Sequence, residues 1–247
     1  MTLAPRAAEN GEPAPARRKD DLIAGRRFYV DLHSHSTDAS DDAGGTVEGY
    51  LKWIRSRRKR GYHIDGFVLT EHRQFDPDVD YSGLSEQYET VVLRGAELET
   101  TVGHVLVYGI TDEFARHFDL SSTRLPPADV FRIARETGGF AVAAHAGRPS
   151  IGMAEHAANG HSLDFVEAVE SLNGGSSDHE NQIGTEFAEQ NGLHLVGGSD
   201  AHYVSAIGRC LTAFAQPIAT LEDLVEQLGT GDYYPVTIEQ TLEEEAV

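Results

Sequence analysis

Seven short apolar runs recur along the chain, and most of them break off into polar or ionisable residues. Residues 28–30 lead into Asp31-Leu32-His33-Ser34-His35, 66–69 into Thr70-Glu71-His72, and 91–93 into Gly95-Ala96-Glu97-Leu98-Glu99. A run over 104–108 follows. Residues 140–144 then lead into His145-Ala146-Gly147-Arg148-Pro149, 165–172 into Asn173-Gly174-Gly175, and 193–196 into Gly197-Gly198-Ser199-Asp200-Ala201-His202. Runs of this length suit buried strands, and helical or loop segments separate them. Such alternation predicts an α/β fold with a parallel sheet closed into a barrel, where chemistry gathers at the C-terminal strand ends.

Helices are expected from a Thr46 cap to about residue 60, from Pro127 to a stop at Gly138-Gly139, and over about 177–190 and 220–228. A length of 247 residues permits one barrel-sized domain or two smaller ones. Only one sheet would bring the polar strand ends together, so a single barrel domain over 26–240 is expected. Residues 1–25, rich in Ala, Pro, Glu and Arg without apolar period, read as a disordered leader, and 241–247 as an acidic tail.

The formal charge of −20 argues against a general nucleic-acid or membrane-surface binder, because such a field repels phosphate backbones and anionic lipids. Lys19, Lys52 and Lys59 are the only lysines, a bias that fits either a high-salt protein or a GC-rich genome. The single cysteine, Cys210, excludes an intramolecular disulfide and Cys-rich zinc modules. No run of about 18 apolar residues and no signal-like start is present, so a cytoplasmic location is expected.

On a regular strand Asp31, His33 and His35 share a face, as do Glu97 and Glu99. Six of the twelve histidines (His33, His35, His72, His104, His145 and His202) lie at or beside strand ends, with Glu97 and Asp200 among them. Imidazole and carboxylate together, without thiolate, suit borderline divalent ions such as Zn²⁺, Fe²⁺ and Mn²⁺. His63, His117 and His194 read as surface groups, and His156, His161 and His179, in loops after the fifth and sixth strands, as surface groups or rim contacts to substrate. Asn173 reads as a turn residue or a hydrogen-bonding group near the metals, and the basic cluster at 55–60 as a solvated helix end.

The ordered series Asp-Leu-His-Ser-His, Thr-Glu-His, Gly-Ala-Glu-Leu-Glu, Ala-His-Ala-Gly-Arg-Pro and Gly-Ser-Asp-Ala-His resembles the PHP family, the polymerase and histidinol phosphatase domain, over about residues 28–215. The resemblance implies a distorted (β/α)7 TIM-like barrel holding two or three divalent ions (Zn, Mn or Fe). It assigns His33, His35, Glu97 and Asp200 to a first metal. Glu97 would bridge to a second, held by His145 and His104, and Asp41, His72 and His202 would make a third site. Two positions depart from the family pattern. Glu71 replaces the usual Asp of the second motif, and Ser40-Asp41-Asp42 leaves Asp38, Asp41 and Asp42 open, with Asp41 preferred because it keeps the Ser-Asp pair.

The activity implied is metal-dependent hydrolysis of a small phosphorylated metabolite or nucleotide, with a hydroxide between the metals as nucleophile. Arg148, whose fork matches phosphate oxygens, is the expected clamp, Arg209 a second cation, and His202 or a metal-bound water the acid. A non-catalytic metal- or partner-binding module and a nucleic-acid phosphodiesterase are the alternatives.

Overall fold

The computed structural model describes residues 27–242. The expected leader and the tail beyond Leu242 lie outside the described residues. The strands are β1 (Phe28–Ser34), β2 (Gly66–His72), β3 (Val91–Thr100), β4 (Gly103–Tyr108), β5 (Phe140–Ala143), β6 (Ala168–Asn173), β7 (His194–Gly198), β8 (Cys210–Phe214) and β9 (Tyr233–Thr237). Between them run helices α1 (Val47–Arg58), α2 (Ser82–Tyr88), α3 (Asp112–His117), α4 (Pro127–Glu136), α5 (Met153–Ala158), α6 (Asp178–Asn191) and α7 (Leu221–Thr230). The sheet order is β7-β6-β5-β4-β3-β2-β1-β8-β9.

The sheet curls until its first and last parallel strands meet, giving a nearly closed, distorted barrel. Just past β7, the Asp200 N–H donates to His33 O at 2.7 Å, and the His35 N–H donates to Ala201 O at 2.9 Å. From α1, the Tyr50 hydroxyl reaches both His35 O (2.5 Å) and Ala201 O (3.0 Å) and so clamps this seam. A Cβ at Gly45 would lie 2.4 Å from the Tyr50 ring, so glycine is what admits the ring.

Two features correct the expected all-parallel, seven-stranded barrel. Strand β4 pairs antiparallel with both β3 and β5, and β8 and β9 add an antiparallel flap on the β1 side. Only Thr101 and Val102 separate β3 from β4, whereas a parallel crossover needs a dozen residues or more. Strand β8 and the short helices α2, α3 and α5 also go beyond the sequence expectation, and the sixth strand begins at Ala168 rather than residue 165.

Alternation along the strands divides the core. Val30, Leu32, Val68, Leu106, Tyr108, Val142 and Val196 fill the barrel interior. The outward residues Tyr29, Phe67 and Leu69 pack on Tyr50, Leu51 and Ile54 of α1. On the far side Leu98, Val105 and Val107 meet Val130 and Phe131 of α4, Met153 of α5 and Phe187 of α6. Each such side chain contributes about 1.5–3 kcal/mol by burial. With both layers full, His33, His35, Glu97, His145, Glu170 and Asp200 gather at the barrel mouth.

Candidate metal centre

The pairing of β1 with β2 slips by one residue at the mouth, from Asp31↔Phe67 to Ser34↔Leu69. This bulge breaks strict alternation and separates Asp31 from the histidines, which corrects the expectation that all three project together. Asp31 turns into the seam, where it accepts the N–H groups of Ser199 (2.7 Å), Gly208 (2.8 Å) and His33 (3.2 Å). Burial pushes its pKa up to about 6, against those hydrogen bonds.

His33 and His35 both aim Nε2 at one point, 3.1 Å apart. Glu97 Oε2 lies 3.4 Å from each, and Asp200 Oδ1 lies 3.5 Å from His33 Nε2 and 3.4 Å from His35 Nε2. A tetrahedral set of ligands about 2.0–2.1 Å from a divalent ion has edges of about 3.3–3.4 Å. His33, His35 and Asp200 therefore converge as such an ion needs, with Glu97 Oε2 beside both histidines.

Glu97 serves three groups at once. Its Oε1 is 2.9 Å from both His104 Nδ1 and His145 Nε2, and its Oε2 is 2.9 Å from His72 Nδ1. His35, His72 and His202 form a further candidate group, with His35 and His72 stacked at 4.0 Å. The acidic residue there is Asp42 rather than the preferred Asp41: Asp42 Oδ2 stands 3.4 Å from His72 Nε2 and 3.3 Å from His202 Nε2. Asp41 is exposed in the same turn. Glu71 sets that turn by accepting the Ser36 hydroxyl (2.6 Å) and the Ser40 hydroxyl (2.5 Å), so it shapes the loop without entering the cluster.

Charge is distributed unevenly. Burial opposes protonation of His33, but Glu170, Asp200 and Glu97 around it raise its pKa well above the usual imidazole value. Burial lowers His35 to about 4, which leaves it neutral and able to donate a lone pair. Burial acts to raise Glu97 and Asp200, yet the His33 charge and neighbouring hydrogen bonds hold both well below the usual carboxylate range. His35 Nδ1 and His145 Nδ1 are buried without a hydrogen-bond partner.

Arg73, His145 and Asp200 have positive φ (52°, 29° and 52°), three of the five such non-glycine residues among those described. Backbone of this kind costs about 1–3 kcal/mol per residue and persists where its surroundings over-determine it. Here the Arg73 N–H is tied to Glu97 O, that of Asp200 to His33 O, and that of His145 to the Glu170 carboxylate.

Arg148 is already engaged. Its Nε donates to Ser176 Oγ, and its Nη2 donates to Asn173 Oδ1 and pairs with Asp200 Oδ2, each at 2.8 Å. Glu99 is held in an ion pair with Arg73 at 3.1 Å. Arg209 is exposed on the turn after His202. The sequence reading missed Glu170, fully buried on β6 at 3.0 Å from His33 Nδ1. A charge inside the apolar run Ala168-Val169-Glu170-Ser171-Leu172 is the signal that marks it, because a buried carboxylate needs partners.

None of the curated proteins compared matches the sequence. A family model described as PHP-associated matches residues 178–233. Among solved structures, PsfC from Pseudomonas syringae is similar with a TM-score of 0.62 at 19% identity, over 90% of this chain and 96% of that one. The lesion-specific endonuclease EndoQ from Pyrococcus furiosus gives 0.57 at 16%, over 85% of this chain but only 58% of its own length. An amidohydrolase from Chromobacterium violaceum, solved with sulfate and no metal, gives 0.56 at 16%, over 84% and 97%. These likenesses concern the fold. The PHP-associated match spans under a quarter of the chain, and it agrees with the resemblance carried by the ordered strand-end residues.

Proposed function

We propose that the protein is a metal-dependent phosphoric ester hydrolase acting on a small phosphorylated metabolite or nucleotide. The observation that carries this reading is Glu97, whose two oxygens face different ligand groups within 2.9–3.4 Å. A shared carboxylate of this kind suits closely spaced divalent ions, which would activate water and neutralise charge on phosphoryl oxygens. Zn, Mn or Fe suit the nitrogen and oxygen donors, with His33, His35, Glu97 and Asp200 holding the innermost ion, His104 and His145 a second, and His72, His202 and Asp42 a third.

The chain's own groups divide the remaining work. Arg148 keeps Nη1 clear of its three bonds and offers it to a phosphoryl oxygen, while Nη2 steadies Asp200. His202 is held through Nδ1 by Asp200 O at 3.0 Å, so it returns a proton to the leaving oxygen through Nε2 only while that nitrogen does not ligate the third ion.

A second reading, an endonuclease, draws on the likeness to EndoQ, and the argument from net charge does not exclude nucleic acid in view of it. Among the described residues no helix is long and apolar enough to cross a membrane. The test is a panel of phosphomonoesters, dinucleotides, single-stranded DNA and abasic duplex DNA with Mn²⁺ or Zn²⁺. Turnover of a small ester that His33→Ala abolishes supports the first reading, and cleavage of DNA alone supports the second. Metal uptake without turnover of any member would leave the non-catalytic module standing and overturn both.

A further inference from the structure

We propose that Glu170, Asn173 and Arg148 form a positioning relay that fixes the inner metal ligands from behind. The proposal rests on reading the clusters as metal sites. Glu170 belongs to none of the strand-end motifs, and its side chain is wholly buried. Its two oxygens lie 3.1 and 3.0 Å from His33 Nδ1. Oε2 also accepts the His145 N–H at 2.7 Å and Asn173 Nδ2 at 2.9 Å.

The path continues across Asn173. Its Oδ1 accepts from Arg148 Nη2 at 2.8 Å, and the same nitrogen meets Asp200 Oδ2 at 2.8 Å. Two ligands of one cluster, His33 and Asp200, are thereby joined through the atoms that face away from it. Their inward atoms, His33 Nε2 and Asp200 Oδ1, stand 3.5 Å apart. A Cβ at Gly175 would come within 2.6 Å of Arg148 Nη2, so glycine keeps the guanidinium's route open.

The chemistry follows from the acceptor. A carboxylate behind Nδ1 requires a proton there, which leaves the Nε2 lone pair for an ion and raises the basicity of the ring. Glu170 also holds His145 by its backbone N–H, at a residue whose φ is 29°. One buried carboxylate thus sets a tautomer in the first group of ligands and a strained backbone in the second. Arg148 acts on the inner cluster by confining Asp200 to Oδ1.

The test compares wild type, Glu170→Gln, Glu170→Ala and Asn173→Ala by titration with Mn²⁺ or Zn²⁺ against a chromophoric chelator. Outer partners of this kind are worth about 10–100-fold in metal affinity. Glu170→Ala should weaken the tightest ion by that amount. Glu170→Gln keeps an acceptor but loses the charge, so its loss should be smaller, with Asn173→Ala also smaller than Glu170→Ala. In metal-free protein, at a pH high enough for the His33 ring to be neutral, ¹⁵N NMR should show its proton on Nδ1 in wild type and partly on Nε2 in Glu170→Ala, a change that loss of packing alone would not produce.

Wild-type affinity and tautomer in a folded Glu170→Ala protein overturn the relay. Should that variant not fold, wild-type affinity in both Glu170→Gln and Asn173→Ala overturns it. A wild-type protein that takes up no ion overturns the functional reading together with the relay, whereas wild-type uptake with unaltered variants overturns the relay alone.

Discussion

The inner and outer parts of the mouth are built on different principles. His33 and His35 are fully buried, and the Glu97 and Asp200 side chains are 2% and 7% exposed. They come from β1, β3 and the seam, so the barrel itself sets their spacing. Outside them, His72 and His202 are 25% and 21% exposed and Asp42 is 60% exposed, with Asp42 carried by a loop. The inner group is positioned before any ligand arrives, and the outer one depends on a turn that Glu71 holds. Rigid ligands favour retention of an ion, while exposed ones favour exchange and access for substrate.

The largest expected effect breaks the comparison at the residue common to both parts. Glu97→Gln removes the shared charge. A bound ion contributes several kcal/mol of transition-state stabilisation, so kcat on any substrate found should fall by about 10³-fold. A fall under tenfold would mean that the clusters act independently.

Next comes metal removal. Incubation with a chelator should give two phases, with fast loss from the His72, His202 and Asp42 group and slow loss from the inner one, read by metal analysis over time. A single phase would erase the distinction drawn from burial. A smaller effect separates two neighbours on the loop: Asp42→Ala should weaken the most labile ion by about tenfold, and Asp41→Ala should leave it within about twofold, by the same titration. The smallest effect concerns the clamp. Tyr50→Phe leaves the His35 and Ala201 carbonyls without their shared donor and should lower unfolding free energy by about 1–3 kcal/mol in urea melts.

The strand ends were legible because a strand-length apolar run that stops at a histidine or carboxylate announces both the strand and its mouth. Direction was less so. An apolar run looks the same parallel or antiparallel, although the two residues between β3 and β4 were enough to require a hairpin. The bulge in β1 leaves no mark in Asp31-Leu32-His33, which is why Asp31 was grouped with the histidines. The choice between Asp41 and Asp42 depended on how the Ser36–Ser40 turn is pinned by Glu71, a contact between residues 31 to 35 positions apart. Glu170 was overlooked because its partners, His33 and the His145 N–H, lie 137 and 25 positions away.

The seam has a consequence for how the chain holds together over time. Asp31 and Ser199, bonded across it, are 168 positions apart, so closure waits until nearly the whole described chain is in place. An ion gripping His35 on one side and Asp200 on the other would act as a removable cross-link over a loop of about 165 residues, a class of constraint worth about 5 kcal/mol by loop entropy. Such a staple slows opening more than it alters shape. Metal loading would then govern the lifetime of the barrel against proteases and heat, with the contour of the folded state unchanged.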